Sequence, residues 1–483
     1  MNLLILIPFL SKFKIMNLKY AFLSIVLVSF LLTSTSCKKE LTDAEIEARL
    51  NTKIMQWMYD TMDEVYFWNS KLPSFNSVKG ETDPEVFFDK LIYTPEDKWS
   101  WLTKDYAALQ EEFAGTPTSM GISPFPGLFS GSDKVFIVVA YVYPDSPAAK
   151  SGLKRGDIIM RIDNKELTKE NYYSLFSQSK YSVTLGHYYN GSISLTSKTI
   201  ALVAEVIDSN PIVFDTVLNI NNSKIAYLTY VEFISGTNEV LLNEFGLLMD
   251  EFKNEGATDL VIDLRYNPGG EISAANYLAS CIAPEAVVAN KKIFVEFIYN
   301  PQIQLYFETE FGSESDYLIN RFIPTGHNAN FNKVYFLVSD RSASASELLM
   351  IGLKPYMDVY QIGDTTYGKY TGAWVLPDQN TPPEHNWAIV PIVSKYSNSA
   401  GLTDFKEGLA PDFYIKDRLL EAKAFGDISD PMLAKAIELI TGVVVEKKKN
   451  TEIEMSFKTI VAPDFYLKSN LILETPDFLK NIH

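Results

Sequence analysis

The sequence predicts a multidomain α/β protein, and three observations predict it. From about residue 206 onward, strand signals alternate with helical periodicity: Lys224 to Val231, then Val240, Leu241, Phe245, Leu248 and Phe252 on one helical face, then the apolar run Leu260 to Leu264. Between about 116 and 205 the period falls to two and turn residues punctuate it, with Asn190-Gly191 reading as a type I′ hairpin turn. Ahead of both, Thr42-Asp-Ala-Glu45 has capping-box spacing, and Ile46, Leu50, Ile54, Trp57, Met58, Met62 and Val65 follow at helical intervals.

In chain order, residues 38–112 read as a small helical domain. Its long first helix ends near Leu72-Pro73, a second helical stretch covers Pro84 to Ile92, and the aromatics of Trp99-Ser-Trp101 serve core packing. Residues 113–205 form a β-rich unit of about 90 residues. Strand Val135 to Tyr143, the turn Pro144-Asp-Ser-Pro147, a strand reaching Ile162, a helical stretch Leu167 to Phe176 and the hairpin Val183 to Ile200 make it up. Residues 206–440 continue with helix Ile272 to Cys281, strand Val334 to Ser339, helix Ser344 to Leu353 and strand Val359 to Gly363. The long aromatic-rich connection 283–331 reads as an insertion or lid. In the segment 441–483 the run Lys447-Lys-Lys449 reads as a solvated linker before a β-rich tail.

Composition narrows the partners. A chain of 483 residues with 47% hydrophobic side chains can bury the cores of two to four domains. Its net charge of −17 repels phosphate backbones and anionic membrane surfaces, so nucleic acid is excluded as a natural partner. Residues 1–37 differ from the rest: Lys12, Lys14 and Lys19 precede the apolar run Tyr20 to Leu32, which gives way to Thr33-Ser-Thr-Ser-Cys37. This is a signal peptide, too short for a comfortable membrane span, and Met16 could equally begin it. The small residues before Cys37 resemble a bacterial lipobox, with Ser34 departing from the usual Leu or Val. A lipidated Cys37 also accounts for a chain whose one other cysteine, Cys281, leaves no disulfide framework. The expectation is a protein tethered to the membrane through an N-terminal lipid anchor in the bacterial cell envelope, periplasmic or surface-exposed.

Two stretches of the α/β region stand out as candidate chemistry: Asp263-Leu-Arg-Tyr-Asn-Pro-Gly269-Gly270, and Ser342-Ala-Ser344-Ala345-Ser-Glu347 with Tyr367-Gly-Lys369 downstream. Taken singly, the first is an ordinary strand-to-helix turn, Ser344-x-x-Glu347 is an ordinary helix cap, and Lys369 is a surface lysine. Other chemistries find little support. The four histidines, His187, His327, His385 and His483, form no zinc-binding pair, and no phosphate-binding glycine loop appears. A Ser/His/Asp triad would have to use His327 or His385.

The combination of motifs resembles the carboxyl-terminal processing peptidases, or tail-specific proteases, over roughly residues 116 to 415. In that family a DLRxNPGG turn is followed by SASASE, whose middle serine is the nucleophile, and then by a GK lysine, here 25 positions after Ser344. The later Glu407-Gly-Leu-Ala-Pro-Asp412 fits the series. Ahead of them, "SPAAKSGLKRGDIIMRIDNKEL" resembles a PDZ domain, with "SMGIS" around Gly121 and Ile122 where a peptide's terminal carboxylate is captured. The resemblance implies a crotonase-like α/β core, catalysis by Ser344 and Lys369, and substrates that are proteins with flexible C-termini. It implies no metal or organic cofactor.

Physical chemistry states what that pair needs. A serine hydroxyl is a poor nucleophile until a base removes its proton, and a lysine can do so only when neutral. Burial against apolar neighbours, with the strand Val359 to Ile362 and Trp374 as candidates, would lower its pKa from about 10.4. An oxyanion hole would come from the amide of Ala345 at a helix start and from Gly269 or Gly270. Many relatives place a glutamine four residues after the lysine, where this chain has Ala373. The third catalytic member is therefore absent, unnecessary, or supplied elsewhere, with Thr371 and Glu347 as the candidates. A catalytically silent PDZ-containing binding lipoprotein is the alternative reading.

Overall fold

The structure, a computed structural model, describes residues 41–380, 382–444, 457–459, 471–473 and 475–476. The expected signal peptide, Cys37 and the lysine run 447–449 lie outside the described residues. The chain divides into two compact units, residues 1–53 and 54–483. In the first, Thr42 opens the helix Asp43–Val65 with the expected reciprocal cap: its Oγ1 accepts the Glu45 N–H at 3.3 Å, and the Glu45 carboxylate accepts the Thr42 N–H at 2.9 Å. No helix among the described residues is long and apolar enough to cross a membrane.

The second unit is built around three sheets. The central one orders its strands as Ile212–Ile220, Ser223–Tyr230, Asp259–Asp263, Lys333–Val338, Asp358–Gly363 and Phe413–Tyr414. The first pair is antiparallel and all the following pairs are parallel. Successive side chains alternate between faces. Ile225, Tyr227, Val261, Tyr335, Leu337 and Ile362 pack under the helix Pro431–Thr441. Their alternates Ala226, Leu228, Leu260, Ile262, Val334 and Phe336 are equally buried, so the sheet is covered on both faces, as near-continuous apolar strands require.

A second sheet orders Gly270–Glu271, Leu471–Ile472, Thr371–Ala373, Ile392–Asn398, Ile293–Tyr299 and Ile319–Arg321. It corrects the reading of 283–331 as a lid-like connection. That segment carries the helices Glu285–Ala289 and Pro301–Glu310 and two strands, one of them paired along Val295 to Tyr299 with Ser394 to Asn398. Its aromatics explain the order: Phe307 stacks on Tyr317 at 4.6 Å, and Tyr299 stacks on Trp374 at 5.6 Å.

The third sheet is the period-two region. Ile122–Phe129, Val135–Val142, Ile158–Ile162, Lys180–Tyr189 and Ser192–Val203 follow one another antiparallel, and Phe457–Thr459 lies on the outer edge of the first. Asn190 and Gly191 both take positive φ, as the hairpin turn requires. The helix expected from Leu167 begins only at Tyr172 and ends at Phe176. The preceding residues pair backbone with the start of the strand Val135–Val142 instead, Val135 N–H to the Leu167 carbonyl and Lys169 N–H to the Asp133 carbonyl.

The helical segment is not purely helical either. Helices Phe75–Val78, Pro84–Leu91 and Tyr106–Phe113 are joined by strand Trp101–Thr103, which pairs antiparallel with Ala388–Val390.

Candidate active site

Three neighbouring parallel strands deliver the three sequence motifs to one edge of the central sheet. Beyond the carboxyl ends of Asp259–Asp263, Lys333–Val338 and Asp358–Gly363 come, respectively, the Asn267 to Gly270 turn, the loop to Ser344, and the loop to Lys369. A crevice outside the carboxyl ends of parallel strands is where such folds place their ligands.

The first two loops are stitched together. Asn267 donates through Nδ2 to the Tyr230 carbonyl at 3.0 Å, and its own carbonyl accepts the Ala343 N–H and the Ser346 hydroxyl at 3.2 and 3.1 Å. Its Oδ1 accepts the Gly269 N–H at 2.9 Å, so that amide is already engaged. Gly269 must be glycine. At φ +116° a Cβ here would sit 2.7 Å from the Ser344 Cβ, so its absence lets the turn lie against the serine.

Ser344 precedes the helix Ala345–Leu353 with φ 59° and ψ −111°, a conformation that L residues adopt only under strain. Its backbone is held by Glu347, one helical turn on. The fully buried Glu347 carboxylate accepts N–H bonds from Ser344 (2.8 Å), Gly368 (2.7 Å) and Lys369 (2.8 Å), and the Thr366 hydroxyl at 2.5 Å. One side chain therefore fixes both the serine and the lysine loop. Burial pushes its carboxyl up to about 7 against the pull of these donors. Tyr396 closes the other side, donating to the Lys369 carbonyl at 2.6 Å and the Ser344 carbonyl at 3.2 Å.

The side-chain ends of Ser344 and Lys369 are buried and uncommitted. Lys369 is 0% exposed, and neither its Nζ nor the Ser344 Oγ has a hydrogen-bond partner, so the two do not bond each other in this conformation. Burial holds the Lys369 ammonium well below its ordinary range, against the opposing negative charges of Asp97 and Glu347. Thr371 is also buried with an unpartnered Oγ1, whereas Glu347 makes the contacts just described. His327 pairs with Asp250 at 2.7 Å and His385 with Asp378 at 3.8 Å, and neither bonds Ser344. The Cys281 thiol is buried and pushed up to about 12 by that burial.

Asp97 escaped sequence reasoning. Its carboxylate accepts the Tyr66 hydroxyl (2.8 Å), the Trp99 and Ser100 N–H groups (2.8 and 3.0 Å) and the Ser100 hydroxyl (2.5 Å), while Trp99 meets Tyr370 edge-on. The available signal is an acidic residue two positions ahead of the aromatic segment Trp99-Ser-Trp101.

Gly121 and Ile122 lie where the period-two sheet meets this region. Gly121 takes φ +74°, its N–H donates to the Ser119 hydroxyl, and Ile122 begins the strand Ile122–Phe129. Beside that strand runs a groove of about 390 Å³ lined by Met120, Ile122, Pro124, Tyr172, Phe176 and Tyr181. Pro124 and Pro126 offer no amide to either neighbour of the strand. A second cavity of about 210 Å³ is lined by Ile122, Tyr143, Tyr266, Pro268 and Arg341, and shares Ile122 and Pro124 with the groove.

Family models match this chain over residues 224–415 (peptidase family S41), 53–101 (peptidase S41 N-terminal domain) and 138–185 (PDZ domain). Residues 224–415 thus belong to peptidase family S41. Among its relatives are the chloroplastic C-terminal processing peptidase of Tetradesmus obliquus, 24% identical over 65% of this chain and 63% of the relative, and the carboxy-terminal processing protease CtpB of Bacillus subtilis, 25% identical over 68% and 61%. The chain spans just under two thirds of the length of the curated relatives it matches. A crystal structure of an S41 protease from Bacteroides fragilis superimposes with a TM-score of 0.67 over 80% of this chain and 97% of that one, at 22% identity, so the two share a fold.

Proposed function

We propose that this S41 chain is a serine endopeptidase that hydrolyses peptide bonds by a Ser344/Lys369 mechanism through an acyl-enzyme. One observation carries the reading: a fully buried lysine whose neutral form is favoured, tied through Glu347 to a serine at a helix start. The mechanism requires the two unpartnered side chains to bring Oγ and Nζ into contact, as such contacts tighten when substrate binds. Neutral Lys369 takes the Ser344 proton as Oγ attacks the carbonyl carbon. The amides of Ala345 and Gly270 receive the oxyanion, favoured by the helix start, since the Gly269 amide is held by Asn267. The lysine ammonium then protonates the departing amine; neutral again, Lys369 takes a proton from the water that attacks the acyl carbon and returns it to Ser344 Oγ as the ester bond breaks. Glu347 takes the positioning place that Ala373 leaves open.

Substrates would be proteins with flexible C-termini, their tails captured near Gly121 and Ile122 and led along the groove towards Pro268. The N-terminal leader supports an envelope location with Cys37 as the lipid anchor. The missing Ser344–Lys369 hydrogen bond is what favours the second reading, a silent binding lipoprotein. Ser344→Ala decides between them on a casein-like unfolded substrate: loss of cleavage by at least about a hundredfold is expected. Equal cleavage by the variant and the parent protein sinks the peptidase reading.

A further inference from the structure

The second sheet contains an unusual member. Gly270–Glu271, directly after the turn that lies against Ser344, and Thr371–Ala373, two residues beyond Lys369, do not pair with each other. The strand between them is Leu471–Ile472, from the C-terminal end of the same chain. It runs parallel to both, with Leu471 opposite Gly270 and Gly372, and Ile472 opposite Glu271 and Ala373. The Leu473 N–H donates to the Ala373 carbonyl at 2.9 Å, and the Thr475 hydroxyl to the Val375 carbonyl at 3.3 Å. Neighbouring strands lie roughly 4.8 Å apart, so this segment fills the gap between the serine's turn and the lysine's strand.

Its side-chain fit is equally specific. Leu473 is buried, and a Cβ on Gly372 would come within 2.9 Å of its Cδ1. Glycine at 372 therefore makes room for a large aliphatic side chain. A second tail segment behaves likewise: Phe457–Thr459 pairs antiparallel with Gly127 to Phe129, on the outer edge of the strand that lines the groove. Sheet edges of this kind capture extended peptides by strand addition. Two short segments of one tail thus occupy two peptide-accepting edges at once, and tethering raises their effective concentration there.

We infer that the gap between Gly270–Glu271 and Gly372–Ala373 is the strand site for an extended substrate segment bearing an aliphatic residue over Gly372, and that the chain's own residues 471–473 fill it as a competitive, cis-acting occupant. The inference rests on the peptidase reading for the word substrate, while the occupancy itself does not. A substrate must displace the tail, so the tail sets a threshold for productive binding. Selection for Leu473-like side chains follows from the same contact.

The test uses binding, so that it does not depend on catalysis. A fluorescein-labelled peptide of residues 466–478 is titrated by anisotropy into the full chain carrying Ser344→Ala, and into the same chain carrying Ile472→Pro as well. Proline removes an N–H from the strand and displaces it. Leu473→Asp, which puts a carboxylate over Gly372, provides an independent second displacement. The expected result is at least about tenfold tighter binding once the tail is displaced, with loss of amide-exchange protection at 372–375. Equal binding by all three proteins, or binding by none, overturns the inference. With Ser344 intact, Ile472→Pro should lower KM severalfold on a peptide with an internal Leu-Ile-Leu, leaving kcat unchanged. If only the kinetic arm is silent because no protein cleaves, the peptidase reading fails and the occupancy stands.

Discussion

Lys369 shows what a buried ionisable group does to its protein. Its ammonium is fully enclosed, has no hydrogen-bond partner, and is held well below its ordinary range by burial. A depressed lysine contributes stability that is present above its unfolded pKa of about 10.4 and lost as pH falls through the folded value. The unfolded chain binds the extra proton throughout that window, so the native state is penalised on its acid side. Lys369→Met, of similar length and no charge, removes the penalty and the base together. It should melt higher than the parent protein at neutral pH, the gap closing as pH rises at up to about 1.4 kcal/mol per pH unit, with cleavage lost. Paired thermal melts from pH 6 to 10 read this out. A gap that does not change with pH would show that the ammonium is not starved of water.

At the scale of elements, the site depends on how one helix and one loop are joined. The helix Ala345–Leu353 and the loop 364–370 share a clasp, the Glu347 carboxylate with its four donors from Ser344, Thr366, Gly368 and Lys369. Glu347→Gln keeps the shape but offers one acceptor oxygen where four donors converge, and each orphaned donor costs about 1–3 kcal/mol. Cleavage should fall by about a hundredfold, mostly in kcat. The acid limb that Glu347, pushed up to about 7 by burial, imposes on kcat/KM should disappear with it. A variant with parental kcat and an unchanged pH profile would remove Glu347 from the positioning role. The clasp was half visible in the sequence, as a helix cap. The spacing of Ser344-x-x-Glu347 announces a capping interaction, whereas the bonds to Gly368 and Lys369 depend on a parallel strand pairing that no local pattern encodes. The same division runs through the fold. Strands such as Leu260 to Leu264 were legible because their apolar runs and flanking helices are local. The strand Ile293–Tyr299 was not, because its partner lies about a hundred residues later and its pattern is blurred by aromatics that pack on Trp374. Asp97 was invisible for a like reason, its partner Tyr66 and the lysine it faces being brought together only by the fold.

At the scale of the molecule, the motif that looked wholly catalytic divides into two jobs. Asn267 to Gly270 shape the site, but Asp263 and Arg265 hold the sheet to what packs beneath it. The Arg265 guanidinium, 2% exposed, bonds Asp263 (Nη2 to Oδ2, 2.6 Å), Asp430 at the start of the helix Pro431–Thr441 (2.9 Å) and Asp417 (3.4 Å). Tyr227 adds a hydroxyl to Asp263 at 2.8 Å, and the Ser339 hydroxyl caps the Arg265 carbonyl, so the cluster also reaches the loop that carries Ser344. Burial alone would raise the Asp430 carboxyl, yet the Arg265 charge holds it below the usual range. That contribution is present above the unfolded carboxyl pKa and is lost as pH falls through the folded one. Arg265→Met strips the cation and leaves the carboxylates enclosed without it, a change that costs about 3–5 kcal/mol when one partner of a buried pair is removed. The deficit should be largest near pH 7 and should shrink towards pH 4, where protonation neutralises the stranded carboxylates. Urea melts of both proteins at the two pH values measure it. A deficit that is equal at both, or below about 1 kcal/mol at pH 7, would mean that the sheet and the helix beneath it are held by apolar packing alone and that the arginine is a passenger.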